Sequence, residues 1–299
     1  MAALGAGSAV FGATRWPGPG PQQHRIAVGA EAPLYMPTAP AAYLPGTEQQ
    51  SGGPTVTSAH CVDVPILLYH YIRVNPNARD RTGFMLSVPP AAFQAQMDWL
   101  HLNGVHTVTL EQVAAALDGK QTLPPHAIVI TFDDGHDDFA TRAVPLLLRE
   151  HFVATTFVVP GFLGTSSYMT EAQVQQVYAE GMVIGAHTVH HVNLLHPPLA
   201  QAATEIAASK QLLEQMIDAP VLDFAYPYGA NSPQIVALVE HAGFRDAVAT
   251  TWGWQQCTAN RYTLHRLEIV GQMDLATFAM AAQVPAPPPS WRDPGPPAG

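Results

Sequence analysis

Residues 127–135 read AIVITFDDG, an apolar stretch that runs directly into two carboxylates and a glycine. Ile, Val and Thr favour the extended conformation, so Ala127 to Phe132 is predicted to be a strand. The side chains of Asp133 and Asp134 at its end point in different directions, because successive residues alternate across a strand. One carboxylate could therefore bind a metal while its neighbour faces a bound water. Taken alone, the Asp-Gly pair predicts only a turn.

The same alternation of strand and helix patterns extends on both sides of this segment. The predicted strands are 64–71, 105–110, 127–132, 152–159, 182–186, 222–226, 246–250 and 264–270. The predicted helices are 93–100, 109–117, 143–151, 170–180, 199–217, 232–241 and 275–282. Repeated strand–helix units predict an α/β fold with a parallel sheet. About seven units suit a distorted (β/α) barrel better than a doubly wound open sheet, and both place chemistry at the carboxyl ends of strands.

Composition divides the chain into three parts. Residues 1–61 are rich in Ala, Gly and Pro without periodic hydrophobicity, which predicts a flexible N-terminal arm. Residues 62–284 form the predicted single catalytic domain, and residues 285–299 a Pro-rich C-terminal tail.

The overall composition excludes some classes of protein. The net charge is −10 and Lys plus Arg number only 13, so we expect no nucleic-acid partner. No apolar run reaches the ~20 residues of a membrane helix, and the N-terminus resembles a secretion signal poorly.

Cys61 and Cys257 are not in a CxxC pair, which excludes a Cys-rich zinc site. The sequence leaves open whether the two residues form one disulfide or remain two thiols.

A second group of polar residues, His187-Thr188-Val189-His190-His191, follows the predicted strand 182–186. Two imidazoles four residues apart on a turning loop can converge on one cation, with His190 facing away. Alone, this pattern indicates only a His-rich surface loop. Together with Asp134, however, His187 and His191 would form a site of two histidines and one carboxylate with a position open for water, as in catalytic zinc centres.

A third motif, Phe224-Ala225-Tyr226-Pro227-Tyr228-Gly229, ends another predicted strand. Pro followed by Gly sets a tight loop that can direct a backbone N–H into a site, although it could equally be a simple turn.

The motifs TFDDG, HTVHH and YPYG, in this order, resemble the polysaccharide deacetylase family of nodulation-factor deacetylase homology. The strand at 65–71, PILLYHY, is similar to that of the exopolysaccharide (poly-N-acetylglucosamine) deacetylase branch. The resemblance covers Val64 to Ala282 and implies a distorted (β/α) barrel. It also implies removal of N-acetyl groups from an N-acetylglucosamine-containing polysaccharide, release of acetate, and an extracytoplasmic location.

The resemblance also implies roles for individual residues. Asp133 would be the general base, and the backbone N–H of Tyr228 would stabilise the oxyanion. A divalent metal would be held by Asp134, His187 and His191. Zinc is the usual ion, with Co²⁺, Ni²⁺ or Mn²⁺ as alternatives.

Some positions depart from the family pattern. Ala225 stands where many relatives carry an Arg that orients the base, so that interaction is missing or supplied elsewhere. Asp246 and Trp252 resemble a family Asp-to-Trp segment that lacks its usual Arg partner.

The general acid is less well defined than the base. His265, in Thr263-Leu264-His265-Arg266, would be the general acid, a surface residue or a strand edge. His70 and His136 are other candidate contacts. Trp252 and Trp254 would stack on sugar or pack in the core.

Two other functions remain open from the sequence: a metal-dependent amidohydrolase of small amides, and a carbohydrate-binding barrel with weak or no turnover. A groove open at both ends would favour a polymer, and a lidded pocket a small molecule. The linkage of the glycan and the oligomeric state are not predicted.

Overall fold

The structure, a computed structural model, describes residues 60–75, 77 and 79–291. Apart from its last two residues, the predicted N-terminal arm lies outside the described residues, as does the end of the predicted tail. Within the described part of the chain, no helix combines the length and the apolar character needed to cross a membrane.

The described residues contain twelve strands and eight α-helices. The strands are β1 (Cys61–Asp63), β2 (Ile66–Tyr69), β3 (Tyr71–Ile72), β4 (Ser87–Val88), β5 (His106–Thr107), β6 (Ala127–Phe132), β7 (Thr155–Val158), β8 (Val183–Ala186), β9 (Asp223–Ala225), β10 (Asp246–Val248), β11 (Gln255–Cys257) and β12 (Leu267–Glu268). The helices are α1 (Arg81–Leu86), α2 (Pro90–Leu102), α3 (Leu110–Leu117), α4 (Val144–Arg149), α5 (Glu171–Ala179), α6 (Leu199–Ile217), α7 (Pro233–His241) and α8 (Leu275–Ala281). A π-helical turn at Phe139–Ala143 and 3₁₀ turns at Pro160–Phe162, Pro227–Gly229 and Thr258–Thr263 complete the set.

A parallel sheet with the strand order β10-β9-β8-β7-β6-β2-β12 forms the centre of the fold, and β5 pairs with the start of β6. Its two ends are joined by one short segment. Leu264 exchanges hydrogen bonds of 2.9 Å with the backbone of Ala247 and Ala249, and Leu267 then pairs with Leu67 of β2. The sheet therefore curls into a distorted (β/α) barrel, which confirms the predicted fold.

Local sequence explains where several helices begin. Thr109 and Thr170 each form a capping box with a Gln three residues later, at the start of α3 and of α5. Ser232 and Asp274 cap α7 and α8 with single side-chain hydrogen bonds. All six residues of β6 are buried, as expected for a strand in the middle of a parallel sheet.

The predicted strand at 64–71 is divided in the structure. Its central part is β2, and its last residue begins β3, which pairs with β4. The segment just before the predicted strand forms β1, which pairs antiparallel with β11 outside the central sheet. A disulfide joins Cys61 to Cys257 in that pair, which answers the open question about the two cysteines. Pairing between segments 196 residues apart leaves no local pattern in the sequence, and for this reason the β1–β11 pair was not predicted.

Part of the predicted tail packs on the domain. The indole of Trp291 meets the ring of Trp99 edge-to-face at 4.7 Å, and Trp99 Nε1 donates to the carbonyl of Pro285 at 2.9 Å. These contacts extend the packed part of the chain beyond residue 284.

Candidate active site

Three potential metal ligands converge at the carboxyl ends of β6 and β8. Among the described residues, Asp134, His187 and His191 offer donor atoms that all lie within 4.8 Å of one another. Oδ1 of Asp134 is 3.5 Å from Nε2 of His187 and 3.2 Å from Nε2 of His191. The same oxygen is buried and accepts no hydrogen bond from the described residues. A buried carboxylate oxygen facing two imidazole nitrogens suits a divalent cation such as zinc.

A backbone carbonyl orients His187. Its Nδ1 lies 2.7 Å from the carbonyl oxygen of Ala225, and a carbonyl only accepts, so Nδ1 carries the hydrogen. The lone pair of the neutral ring is then on Nε2, directed at Asp134. A metal-binding histidine usually donates its other ring N–H to a carbonyl or carboxylate in this way. Here the acceptor is the backbone of Ala225, so this contact does not depend on the side chain at position 225.

His136 holds the second oxygen of Asp134. Its Nε2 lies 3.2 Å from Oδ2 of Asp134, and its Nδ1 lies 3.2 Å from the carbonyl of Ser167. The ring stacks on Tyr71 with centroids 3.7 Å apart. His136 was predicted only as a candidate contact, and in the structure it fixes the orientation of the carboxylate.

Several of these residues have unusual backbone conformations. The φ angles of Asp134, Thr188, His191 and Tyr228 are 74°, 61°, 53° and 62°. Left-handed backbone is uncommon for non-glycine residues and a clear outlier for β-branched Thr. Such strain persists only where the surrounding structure imposes it, and it is concentrated at functional sites.

Asp133 is held by an arginine that the sequence analysis did not identify. Arg266 donates from both terminal nitrogens to the two carboxylate oxygens of Asp133, at 2.7 Å each, and its Nε donates to the carbonyl of Ala249. Both side chains are buried. Arg266 therefore supplies the interaction that Ala225 lacks, from the segment that closes the barrel. The one feature of the sequence that could have pointed to this role is that Arg266 is the single Arg in the predicted strand 264–270.

The two carboxylates have lowered pKa values for different reasons. Burial alone would raise the pKa of Asp133, but the charges of Arg266 and His187 outweigh it and lower that pKa. Burial also opposes ionisation of Asp134, but the surrounding imidazoles of His136, His187 and His191 hold its pKa well below the usual range. Both groups are therefore carboxylates at neutral pH.

Comparison with known proteins now identifies the family. Residues 120–247 match the family model described as polysaccharide deacetylase. A protein of Bacillus subtilis (strain 168) that carries the name polysaccharide deacetylase YxkH is 30% identical over 215 residues, which cover 72% of this chain and 74% of that protein. The chain belongs to the polysaccharide deacetylase family. It is thus related to hydrolases, as the three sequence motifs implied.

Two further relatives support the resemblance to the poly-N-acetylglucosamine branch and the fold of the polysaccharide deacetylase family. A poly-β-1,6-N-acetyl-D-glucosamine N-deacetylase of Escherichia coli (strain K12) is 42% identical over 62 residues, 21% of this chain but only 9% of that protein. The structure of Streptococcus pyogenes deacetylase PplD in complex with acetate superposes with a TM-score of 0.69 at 26% identity. That match covers 74% of this chain and 98% of PplD.

In this polysaccharide deacetylase domain, Tyr228 lies beside the ligand loop. Its ring meets that of His191 edge-to-face at 4.7 Å, and the tyrosine side chain is 67% exposed. The next residue, Gly229, has φ of 65°, and a Cβ there would lie 2.1 Å from Oγ1 of Thr250. The turn that carries the Tyr228 backbone N–H therefore requires glycine at position 229.

The predicted general acid, His265, has its contacts elsewhere. Its Nε2 lies 3.3 Å from the amide nitrogen of Asn260, and its backbone exchanges hydrogen bonds with the side chain of Gln256. Arg266, the next residue, enters the site instead, because successive side chains of an extended segment face opposite ways. The structure therefore does not join His265 to the residues around Asp134.

His70, at the carboxyl end of β2, belongs to the electrostatic environment of the site. Burial lowers its pKa from the ordinary value, and the charges of Asp133 and Asp134 only partly offset that effect. His70, which was expected only as a residue that could face the pocket, is therefore subject to the charges of the two site carboxylates.

Asp246 lies at the opposite end of the sheet. It begins β10 beside Asp223, which begins β9, and Arg245 pairs with both carboxylates. The Arg partner that the sequence analysis found missing is thus the preceding residue. The group is a buried ion-pair cluster beneath the barrel, not part of the site.

The two loop tryptophans have different environments. Trp254 donates from Nε1 to the carbonyl of Ala281 at 2.9 Å and is therefore held by packing. Trp252 contacts it edge-to-face and remains 51% exposed.

An open groove of about 720 Å³ adjoins the site. It is lined by His191, Val192, Asn193, His196, Pro197 and Tyr228. Its walls carry neutral polar groups and no Asp, Glu, Lys or Arg, which suits an uncharged sugar ring.

Proposed function

We propose that this chain hydrolyses N-acetyl groups of an N-acetylglucosamine-containing polysaccharide, releasing acetate and leaving a free amine on the sugar. Asp134, His187 and His191 would hold a divalent cation, with zinc expected and Co²⁺, Ni²⁺ or Mn²⁺ able to use the same donors. The observation that carries the proposal is the meeting of the two imidazole nitrogens at Oδ1 of Asp134, directly beside the ion-paired Asp133.

The donor set suits catalysis. Two histidines and one carboxylate leave a coordination position open, in contrast to the four protein ligands of structural zinc. A bound cation would supply Lewis acidity, which polarises an amide carbonyl and can lower the pKa of water to about 7.

Asp133 would act as the general base that takes a proton from the attacking water. Its lowered pKa keeps it ionised, and Arg266 holds both oxygens so that the carboxylate cannot turn towards the ligands. General-base catalysis of this kind contributes roughly 10²–10⁴-fold.

The backbone N–H of Tyr228 would donate to the oxyanion, a contribution of roughly 3–4 kcal/mol for one such donor. For the proton delivered to the leaving amine we favour His70 over His265. His70 follows the carboxyl end of β2, where its pKa responds to the charges of Asp133 and Asp134, whereas the ring of His265 contacts Asn260.

The open groove beside His191 supports a polymeric substrate over a small amide, because a small molecule is usually enclosed on most sides. The Asp133–Arg266 pair argues against a barrel that only binds sugar. Burying an ion pair beside a metal site costs free energy. A general base requires such a carboxylate, whereas a barrel that only binds sugar does not.

The disulfide supports an extracytoplasmic location. Disulfides persist in oxidising compartments and are rare in the cytosol, and the Cys61–Cys257 bond joins two strands of the folded domain. A polysaccharide outside the cytoplasm would be accessible to the enzyme there.

The test is acetate release from N-acetylglucosamine oligomers of increasing length, by purified protein after chelation and after zinc is added back. We expect release that chelation abolishes and zinc restores, with kcat/KM rising with oligomer length. Release from small amides with no gain from longer oligomers would favour the amidohydrolase alternative. Folded, zinc-loaded protein that binds oligomers without releasing acetate would favour the binding barrel.

A further inference from the structure

We propose that Glu205 of α6 is a positioning residue that holds the ligand loop, residues 187–191, in its metal-binding conformation. The inference rests on the proposed function in one respect, namely that His187 and His191 are metal ligands. Glu205 itself contributes no donor atom to the candidate site.

The carboxylate of Glu205 makes three contacts with the loop. Its Oε2 accepts hydrogen bonds from the backbone N–H of Val189 at 2.9 Å and of His190 at 3.0 Å. Its Oε1 lies 2.8 Å from Nδ1 of His190. Glu205 is buried, and hydrogen bonds to a buried charged acceptor are stronger than those between neutral groups. One side chain therefore holds Val189 and His190, which lie between the two proposed ligands of the loop.

The conformation of the loop requires such a restraint. Thr188 and His191 both have left-handed backbone, with φ of 61° and 53°. A five-residue loop with two such residues would relax if released, and the donor atoms of His187 and His191 would separate. The fork of hydrogen bonds lies between these two strained positions, where it opposes that relaxation.

Both sides of the clamp are rigid. Glu205 belongs to the 19-residue helix α6, whose Ile206 and Leu213 are fully buried. On the other side of the loop, Gly161 donates its N–H to the carbonyl of Val189 at 2.9 Å. A Cβ at position 161 would lie 2.3 Å from that oxygen, so the contact depends on glycine.

The contacts also give His190 a function. His190 was expected only to face away from the site, and its side chain is 63% exposed. Its Nδ1 faces Glu205, so the imidazole completes the clamp while His187 and His191 face Asp134.

The test compares Glu205→Gln with Glu214→Gln. Glu214 is a matched control, because it lies on the same helix and accepts from Lys210 and from the N–H of Val221, away from the loop. The readout is the Kd for zinc, measured by competition with a chelating dye on protein whose fold is checked by circular dichroism. We expect Glu205→Gln to weaken zinc binding by about 10- to 100-fold, the usual effect of losing an outer contact of a metal site. Glu214→Gln should stay within about twofold of the parent.

Equal zinc affinity in Glu205→Gln and the parent would overturn the proposal, whatever the change in thermal stability. If Glu205→Gln does not fold, the same zinc titration is made on His190→Ala. This variant removes one contact of the clamp at an exposed side chain. A Kd raised above that of the parent would then support the clamp, and an unchanged Kd would refute it. A parent protein that binds no zinc would instead count against the proposed function.

Discussion

The guanidinium of Arg266 meets the carboxylate of Asp133 through two hydrogen bonds of 2.7 Å, although the residues are 133 positions apart. The side chain of Arg266 is fully buried. A bidentate pair of this kind sets both the direction and the charge of the carboxylate. The base proposed for this enzyme is therefore positioned by the segment that closes the barrel.

Replacing Arg266 should reduce catalysis before it reduces metal binding. Arg266→Lys keeps a positive charge but loses the planar fork, so we expect kcat to fall about 10²-fold through misplacement of Asp133. Because Arg266 lowers the pKa of Asp133, the acidic limb of the pH–rate profile should shift to higher pH. The measurements are kcat between acidic and neutral pH and the Kd for zinc. Arg261→Lys, at an ion pair with Asp118, is the control, and equal kcat in both variants would contradict this role.

Mutations should distinguish the general base from the metal ligands by their effects on kcat and on zinc binding. Asp133→Asn should retain zinc and lose roughly 10²–10⁴-fold in kcat, since it removes the proton acceptor but no ligand. His187→Ala should instead weaken zinc binding, because it removes one of the three candidate ligands. Zinc titration and acetate release on both variants check the assignment, and near-normal turnover by Asp133→Asn would show that another group is the base.

His70 and His265 can be distinguished in the same way. We expect His70→Asn to lower kcat by at least about 10²-fold, because a general acid typically contributes 10²–10⁴-fold. His265→Asn should leave kcat nearly unchanged, since its ring contacts Asn260. The comparison requires zinc-loaded protein for both variants. The reverse ranking of kcat would restore His265 as the acid.

The cluster beneath the barrel should make stability depend on pH. Burial, reinforced by the charge of Asp223, raises the pKa of Asp246 well above its ordinary value. A raised pKa in the folded state means that this carboxyl favours the fold at low pH and loses that contribution as pH rises through the folded-state pKa. Asp246→Asn, which stays neutral, should therefore gain stability relative to the parent as pH increases. Urea denaturation at several pH values measures the difference in unfolding free energy.

Asp218→Asn is the control for that experiment. Asp218 is exposed at the end of α6 with φ of 51°, a conformation that Asn also adopts readily. Its difference from the parent should not grow with pH. A constant difference for Asp246→Asn as well would mean that Asp246 does not titrate as inferred.

Removing the disulfide should weaken the fold and spare the site. The double variant Cys61→Ser, Cys257→Ser should lose about 2–5 kcal/mol of unfolding free energy, because the bond closes a long segment of chain. The β1–β11 pair lies near the amino end of β2, away from Asp134, so the Kd for zinc should not change. Urea denaturation with zinc titration tests both points. An unchanged unfolding midpoint would show that the bond contributes little.

Apart from α1, the helices and the strands of the central sheet could be predicted from the sequence because their signals are local. The Ile, Val and Thr of β6 and the Thr-to-Gln capping boxes of α3 and α5 act within a few residues. The β1–β11 and β3–β4 pairs could not be predicted, since their partners are short and give no periodic pattern.

Local sequence patterns were enough to predict the central strands and most helices in order, the family resemblance, and the candidate ligands Asp134, His187 and His191. Each ligand follows a recognisable strand, and the carboxyl ends of parallel strands meet at one edge. How these groups are held depends on contacts between distant parts of the chain. Arg266 reaches Asp133, and Glu205 reaches the ligand loop, from elements whose local sequence does not indicate which residue they contact. The physical reason is that a buried ion pair depends on which surfaces the closed barrel brings together, and chain closure joins segments that no local pattern connects.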